Sequence, residues 1–394
     1  MREPTTSEHA LDLVAAVRAI APVLRRGADD ADREGRLTPE TTRTLRNAAL
    51  FRLGVPQGLG GLEAPVRPGL EAIAEIALAC PSSAWVVMTS YMAQQISASF
   101  GEEARADLWG DGPDVPMCGV FSSVGVHAEP VEAGLVVSGR WSWASGCHYA
   151  EWAVLGVPLF KPDDGGSYRG LALVRVRDLT IEATWDMAGM RGTGSDTLVA
   201  DKVFIPYHRL RSFSDVAVGT SFAKEPLYRV PPGSMTLTSM GPLLGAARAI
   251  LRLTMEAVED GKPMAMSLHR RLADSPSVQI ALADAATLID SAYLLLVRSA
   301  ESVDAAASTD VTPGLLGRAR IRMDAGHAST CLLEAVRLLL TVSGASSFSR
   351  AKAIQRYWRD LETAARHPTL NPGLAREMYG RALVGDQQPV SPMV

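Results

Sequence analysis

The sequence contains none of the short motifs that announce the commonest metal, nucleotide or nucleophile sites. No HExxH or HxxxH pair occurs among its seven histidines, so the helical spacing that lets two imidazoles share a zinc ion is missing. No GxGxxG follows a strand. Gly192-Thr193-Gly194-Ser195 lacks the third glycine and runs into a β-rich stretch, which argues against a dinucleotide-binding turn. Gly261-Lys262 leads into Pro263 instead of forming a P-loop, and there is no GxSxG elbow. Cysteine is scarce, four in 394 residues, with no CxxC. Cys80, Cys118, Cys147 and Cys331 read as buried thiols of a reducing cytoplasm, not as a disulfide frame or zinc site. There is no basic excess: 39 Lys+Arg stand against 43 Asp+Glu, a formal charge of −4, which excludes a generally basic nucleic-acid binder. No apolar run is expected to reach membrane-spanning length; Leu332–Val342 is short and carries Glu334 and Arg337. Met1 to Asp12 has no apolar core of a secretory leader.

What is present is ordered in three blocks, 1–114, 115–225 and 226–394. The first is helical. Leu11, Val14, Val17, Ile20, Val23 and Leu24 recur at helical spacing, and Thr38-Pro39-Glu40 is an N-cap followed by proline at the first helical position. That second helix is expected to reach Phe51, before Val55–Gly61 breaks the pattern with a proline and three glycines. Further helices are expected over Pro68–Cys80 and Ser82–Phe100. The middle block changes period, with strands expected over Leu135–Trp141, Trp152–Val157, Leu171–Val176, Leu179–Thr184 and Thr197–Ile205. After 211–234 the helices return, over Leu243–Glu259, Ser277–Ala306, Pro313–Val342 and Ala351–Ala365, which predicts a bundle.

Five motifs, in order, add a family. Pro56 to Gly61 resembles a "PxxxGG" link, Gly139-Arg140-Trp141-Ser142-Trp143-Ala144-Ser145-Gly146 a flavin-contacting strand, and Trp185 to Pro206 the stretch "GMRGTGS…VFVP". Gly344-Ala345-Ser346-Ser347-Phe348 resembles the "GGxGY" turn, and Arg356-Tyr357-Trp358-Arg359-Asp360 a terminal "RxxRD". Together these resemble the acyl-CoA dehydrogenase fold, an α+β architecture of an N-terminal helical domain, a central β-barrel or sandwich and a C-terminal four-helix bundle. A dehydrogenase needs a carboxylate to remove the substrate α-proton. The two places where the family carries it fall here on Ala351 and approximately Met235. The chain is therefore more similar to the reduced-flavin monooxygenase branch, for which "WxxxSG" and "RDx6H" are more typical.

That resemblance implies the oxygenase component of a two-component system. Its cofactors are reduced FAD (FADH2, with FMNH2 open) and O2, reacting through a C4a-hydroperoxyflavin. Its partners are a separate NAD(P)H:flavin reductase and a phenol- or indole-type aromatic, in a cytoplasmic homotetramer or homodimer with no nucleic acid and no membrane. An amino-sugar N-oxygenase on the same fold is the sibling reading. It further implies that His367 polarises the oxygen being transferred or takes a substrate proton. Ser145 meets flavin N5, while Phe121, Ser122, Trp143, Ala144, Arg271, Gly344 and Ala345 contact flavin. Tyr91, Ser195 and His367 line the substrate. Each has a plainer alternative: a capping histidine, a turn serine, a core tryptophan, a surface arginine, a tyrosine that only packs. Independently of resemblance, His367 stands seven residues after Asp360 and eleven after Arg356, one helical stripe. Pro368 is expected to end the helix there, so the imidazole is expected at a helix C-terminus, favoured as a cation. His148 is expected to be a partly exposed loop residue.

Overall fold

Proline and threonine set the boundaries of the helical first block. The computed structural model describes residues 6–161, 166–217, 219, 221–230, 232–309, 313–388 and 390–391. Its helices are α1 (Thr6–Glu34), α2 (Pro39–Asn47), α3 (Val66–Ala77), α4 (Pro81–Ala98) and α5 (Glu102–Trp109). Thr38 caps α2 by accepting from the Thr41 amide at 3.1 Å. That helix ends at Asn47, short of the expected Phe51, because Ala49 turns left-handed (φ 58°) and a 3₁₀ turn, Leu50–Arg52, replaces the last helical turn. α4 is buried almost all round, with its buried polar residues Ser90, Gln94, Gln95 and Ser97 hydrogen-bonded to neighbouring groups. It packs on α3, on the middle block and on the bundle, and so reaches every wall of the site described below.

The middle block is two four-stranded sheets. One is ordered β1 (Met117–Val120), β4 (Trp152–Phe160), β5 (Ser167–Arg175), β8 (Leu210–Ser212). The other is ordered β2 (His127–Val131), β3 (Gly134–Trp141), β7 (Thr197–Pro206), β6 (Thr180–Glu182). Only β1–β4 is parallel. Their shared core includes Val137, Trp141, Leu155, Val157 and Leu198, and Trp141 Nε1 donates to the Gly156 carbonyl at 2.9 Å. The expected strands are all present. β1, β2 and β8 and helix α5 are additional, because short or polar segments carry too little periodicity to stand out. Phe121 and Ser122 directly follow β1.

After the short α6 (Phe213–Ala217) come α7 (Gly241–Glu259), α8 (Pro276–Thr309), α9 (Leu315–Ser343), α10 (Ala353–Ala364) and an unanticipated α11 (Pro372–Leu383). Asn371 caps α11 from its side-chain oxygen, and Pro372 occupies the first helical position. α9 packs on α8, α7 and α11, and α10 on α7. α8 corrects one expectation: it is long and apolar enough to cross a membrane by length and composition. Asp284, Asp290 and Arg298 were too widely spaced to lower its apolar character.

Candidate active site

The loop after β3 is zipped onto the segment that precedes β7. The Ala144 amide donates to the Asp196 carbonyl at 3.1 Å and the Gly146 amide to Thr193 at 3.0 Å. To make both bonds, Trp143 adopts a left-handed conformation (φ 71°), strained for a residue with a Cβ by about 1–3 kcal/mol. The strain turns its ring outward. Trp143 is 62% exposed and meets only the edge of Trp185, centroids 5.7 Å apart, so it is not the core aromatic of the plainer reading.

Ser145, next in the loop, heads a row of hydroxyls. Its Oγ accepts from Trp85 Nε1 of α4 at 3.1 Å and lies 2.8 Å from Ser195 Oγ. Ser195 lies 2.6 Å from Thr193 Oγ1, which reaches the Met190 carbonyl at 2.8 Å. Each hydroxyl has one hydrogen and two lone pairs. Thr193 spends its hydrogen on the Met190 carbonyl, so Ser195 donates to Thr193 and Ser145 donates to Ser195, and Ser145 keeps one lone pair beyond the one that accepts from Trp85. Ser195 itself is buried behind Ser145 and already bonded on both sides, which places it in support of Ser145 instead of on a substrate-facing surface. The segment is also anchored beside the row. Asp196 accepts from the Thr184 and Trp185 amides and pairs with His148 Nε2 at 2.6 Å, which holds its carboxyl below the usual range. His148 is thus tied to Asp196.

The opposite wall is helical. Trp85 meets the His367 ring edge-on, centroids 5.5 Å apart. α10 stops at Ala364, and His367 has extended backbone (φ −59°, ψ 135°). Arg356 and Asp360 share the buried face of α10, but His367 does not extend their stripe, because Pro368 forces the chain out of the helix. The expected imidazolium is overturned as well. Burial, and then the Arg322 cation, push the His367 pKa down to about 4. Its residue surface is open while its ring is crowded by protein, as on the wall of a cleft. Nδ1 faces the Thr369 hydroxyl at 2.7 Å and the Thr369 amide at 3.4 Å. The amide can only donate, which assigns the hydrogen of the neutral ring to Nε2.

α10 also braces the first wall. Asp360 accepts from the Met190 amide at 2.5 Å, and Arg359 pairs with Asp32 at 2.7 Å and donates to the Ala188 carbonyl. Burial raises Asp360 to about 7. The structure therefore brings together Trp143, Ala144, Ser145, Ser195 and His367.

The remaining candidates fall elsewhere. Tyr91 does not line a cleft: it is 0% exposed, with its hydroxyl donating to the Ala64 carbonyl at 2.7 Å and accepting from Gln95 at 2.9 Å. Gly54 and Gly69 let the backbone close on its ring, so it packs, and its expected substrate contact is corrected. Phe121 is half-buried, its carbonyl bonded by Arg169, and Ser122 is exposed. Arg271 is exposed and paired with Asp274 at 2.5 Å. Gly344 and Ala345 line a separate open cavity of about 410 Å³ with Leu340, Phe348 and Trp358. Ala351 is exposed; the Met235 side chain lies outside the described ones. Among the described residues no carboxylate bonds Trp85, Ser145 or His367, and no cluster of three or more His, Cys, Asp or Glu fits a metal ion. Three contributors were not expected. Thr193 lay inside the Trp185–Pro206 motif and Trp85 inside the expected helix Ser82–Phe100, whereas Arg322 had no signal beyond interrupting the buried face of Ala319, Ala325 and Ala328.

Comparison with known proteins identifies the family and the fold. Residues 237–372 match the model of the acyl-CoA dehydrogenase C-terminal domain. The chain is 30% identical to the oxygenase component of an FADH2-dependent resorcinol hydroxylase from Rhizobium sp. (strain MTP-10005), over 97% of this chain and 96% of that protein. It is 31% identical to the flavin-dependent monooxygenase oxygenase subunit HsaA of Rhodococcus jostii (strain RHA1), over 93% and 97%. Among solved structures, XiaF from Streptomyces sp., in complex with FADH2 and glycerol, superposes with a TM-score of 0.92 at 32% identity, covering 99% of this chain and 98% of that one.

Proposed function

Because the chain belongs to the oxygenase components of the reduced-flavin-dependent monooxygenases, built on the acyl-CoA dehydrogenase fold, we propose that it hydroxylates a phenol- or indole-type aromatic in the cleft between Ser145 and His367. The observation that carries this is the pairing of a neutral imidazole, with its hydrogen on Nε2, and a serine hydroxyl on the two sides of Trp85.

The residues fit a reduced flavin. The outward ring of Trp143 offers an apolar face at the mouth of the loop. The hydroxyl row commits the Ser145 hydrogen to Ser195 and leaves a lone pair that would accept from a flavin N5–H. Bound there, reduced flavin supplies the electrons that activate O2. Ser145, fixed by Trp85 and Ser195, holds N5. His367, with Nδ1 accepting from the Thr369 amide, would offer Nε2–H as a hydrogen-bond donor to an oxygen atom of the reactants. Trp85 and the brace from Asp360 exclude water by packing. We assign FAD in preference to FMN on the resorcinol hydroxylase and XiaF likenesses, and a separate NAD(P)H-dependent reductase as its source. The cleft has no carboxylate base, which disfavours thioester dehydrogenation. Ile280 and Leu294 stand exposed on α8, and this apolar face is read as the seat of further copies in a homotetramer or homodimer, not as a membrane span. The four buried free thiols are read as cytoplasmic.

Reduced FAD mixed anaerobically with the protein, then exposed to ¹⁸O₂ with a panel of phenols and indoles, is expected to give a product carrying one labelled oxygen. Reduction of bound flavin by an acyl thioester, with no labelled product from any aromatic, would overturn the reading.

A further inference from the structure

Arg322 of α9 is 3% exposed. Buried charges are ordinarily paired, because desolvating an ion without a counter-charge is among the most unfavourable events in folding. The neighbouring helix face shows the ordinary solution. Asp324, two residues on, accepts from Arg298 of α8 at 2.9 and 2.8 Å and from Ser299 at 2.6 Å. That acid is therefore committed away from Arg322. What Arg322 has is one neutral partner: Nη1 donates to the buried Thr236 hydroxyl at 2.5 Å. Its Nε is wholly buried and unbonded, and nothing among the described residues bonds Nη2. Desolvation pulls its pKa down with no offset from any acid. Its helix α9 and the 3₁₀ segment Pro232–Met240 that carries Thr236 both pack on the Pro368–Leu370 turn that follows His367, and its charge bears on the His367 imidazole, which puts Arg322 beside that ring.

We propose that Arg322 is the receptor for an oxygen anion carried by the aromatic substrate. A guanidinium presents Nε and Nη2 as a flat donor edge suited to a phenolate or carboxylate oxygen, and that edge is the one without a partner among the described residues. A phenol loses its O–H proton to the buffer on binding and lies as phenolate against Arg322. A carboxylate arrives already ionised. Either supplies the missing counter-charge. This rests on the reading of the cleft as an aromatic-substrate site, and it narrows the substrate from aromatics in general to those bearing an acidic oxygen.

The test uses the whole chain without flavin, so it is independent of oxygenation. 4-Methylphenol, 4-methylanisole and 4-methylbenzoate are titrated into the wild-type protein and into Arg322→Met and Arg322→Lys, following affinity and, for the phenol, the red-shifted ultraviolet band of phenolate. We expect the wild-type protein to bind an anionic probe at least tenfold more tightly than the anisole. Arg322→Met should lose that preference, and Arg322→Lys should keep part of it. A phenolate band that disappears in Arg322→Met identifies the phenol as the source of the anion. Loss confined to the benzoate identifies the carboxylate. Equal binding of anisole and anions to the wild-type protein, or undiminished anion binding by Arg322→Met, overturns the proposal. The thermal midpoint is the folding control: Arg322→Met should melt no lower than wild type, since an uncompensated buried charge is replaced by a shorter, uncharged thioether, whereas a structural arginine would show a clear fall. Oxygenation is measured separately with reduced FAD and O2, so failure of the monooxygenase reading leaves this result legible.

Discussion

The two walls of the cleft solve opposite problems. On the β side the described hydroxyls and the carboxylate are bonded to one another, with one lone pair of Ser145 left over. Trp85, Ser145, Ser195 and Thr193 form one row, and Asp196 takes two amides and His148. On the helical side valences are left over: His367 Nε2 has no partner among the described residues, and Arg322 has no counter-charge. A nearly saturated wall suits a reactant of fixed shape that must always sit the same way. An unsaturated wall suits a ligand that brings the missing partner with it. Asp360 joins the two, since the helix that leads to His367 also holds the Met190 amide beneath the hydroxyl row.

That contrast can be broken experimentally. The largest effect is expected from His367→Ala: product formation should fall by about 10²–10⁴-fold, the usual worth of a positioned acid or base, while oxidation of reduced flavin continues. Loss of both activities together would place His367 on the cofactor side and erase the distinction between the walls. Ser145→Ala should act differently. It strands the Trp85 N–H, an unsatisfied group that costs about 1–3 kcal/mol, and it should lower retention of reduced flavin and the fraction of turnover yielding product by roughly tenfold or more. Unchanged coupling, measured as product per flavin oxidised, would remove Ser145 from the cofactor wall. Ser195→Ala should give a smaller loss in the same ratio, because Trp85 still holds Ser145; a loss equal to that of Ser145→Ala would make Ser195 a contact residue after all.

Two pH effects sharpen the bridge between the walls. Asp360 is raised to about 7 by burial. The folded state thus holds its proton more tightly than the unfolded chain, where a carboxyl titrates near about 3.9. The stability so gained is full below that value and is lost as pH rises through about 7. Asp360→Asn keeps an acceptor for Met190 and should flatten this decline in denaturant titrations between roughly pH 4 and 7. His367 has the opposite sign. Its depressed value means that its contribution is present above about 6.5 and disappears as pH falls through about 4. Arg322→Met should move the imidazole titration upward in NMR, the smallest of the expected changes; an unmoved value would separate Arg322 from the cleft.

Much of the architecture was legible in the chain. Thr38 with Pro39, the glycine run at Val55–Gly61 and the two-residue period of β3 and β7 act through local backbone sterics and side-chain alternation, which sequence spacing records directly. The segments that escaped were β2, α5 and α11, whose polar residues hide their period. The site divided in the same way. Trp143, Ser145 and Ser195 sit within one or two turns of chain whose motif carries them, and His367 was found beside its proline. The charge of His367 was misjudged because a proton's affinity depends on burial and on charges from other elements, here Arg322 from α9, which no spacing relates to residue 367. Tyr91 was misplaced because only packing shows which way a residue on an all-buried helix faces.

By itself the sequence determined the order of helical, β and helical blocks, the turn chemistry and the family motifs, because each is a local property of consecutive residues. The tertiary structure alone decided that the hydroxyl row stands opposite a neutral histidine, and that an arginine is buried without an acid. Desolvation and hydrogen-bond completion are sums over whatever the fold brings close, and those neighbours come from α4, α9, α10 and the β unit, far apart along the chain.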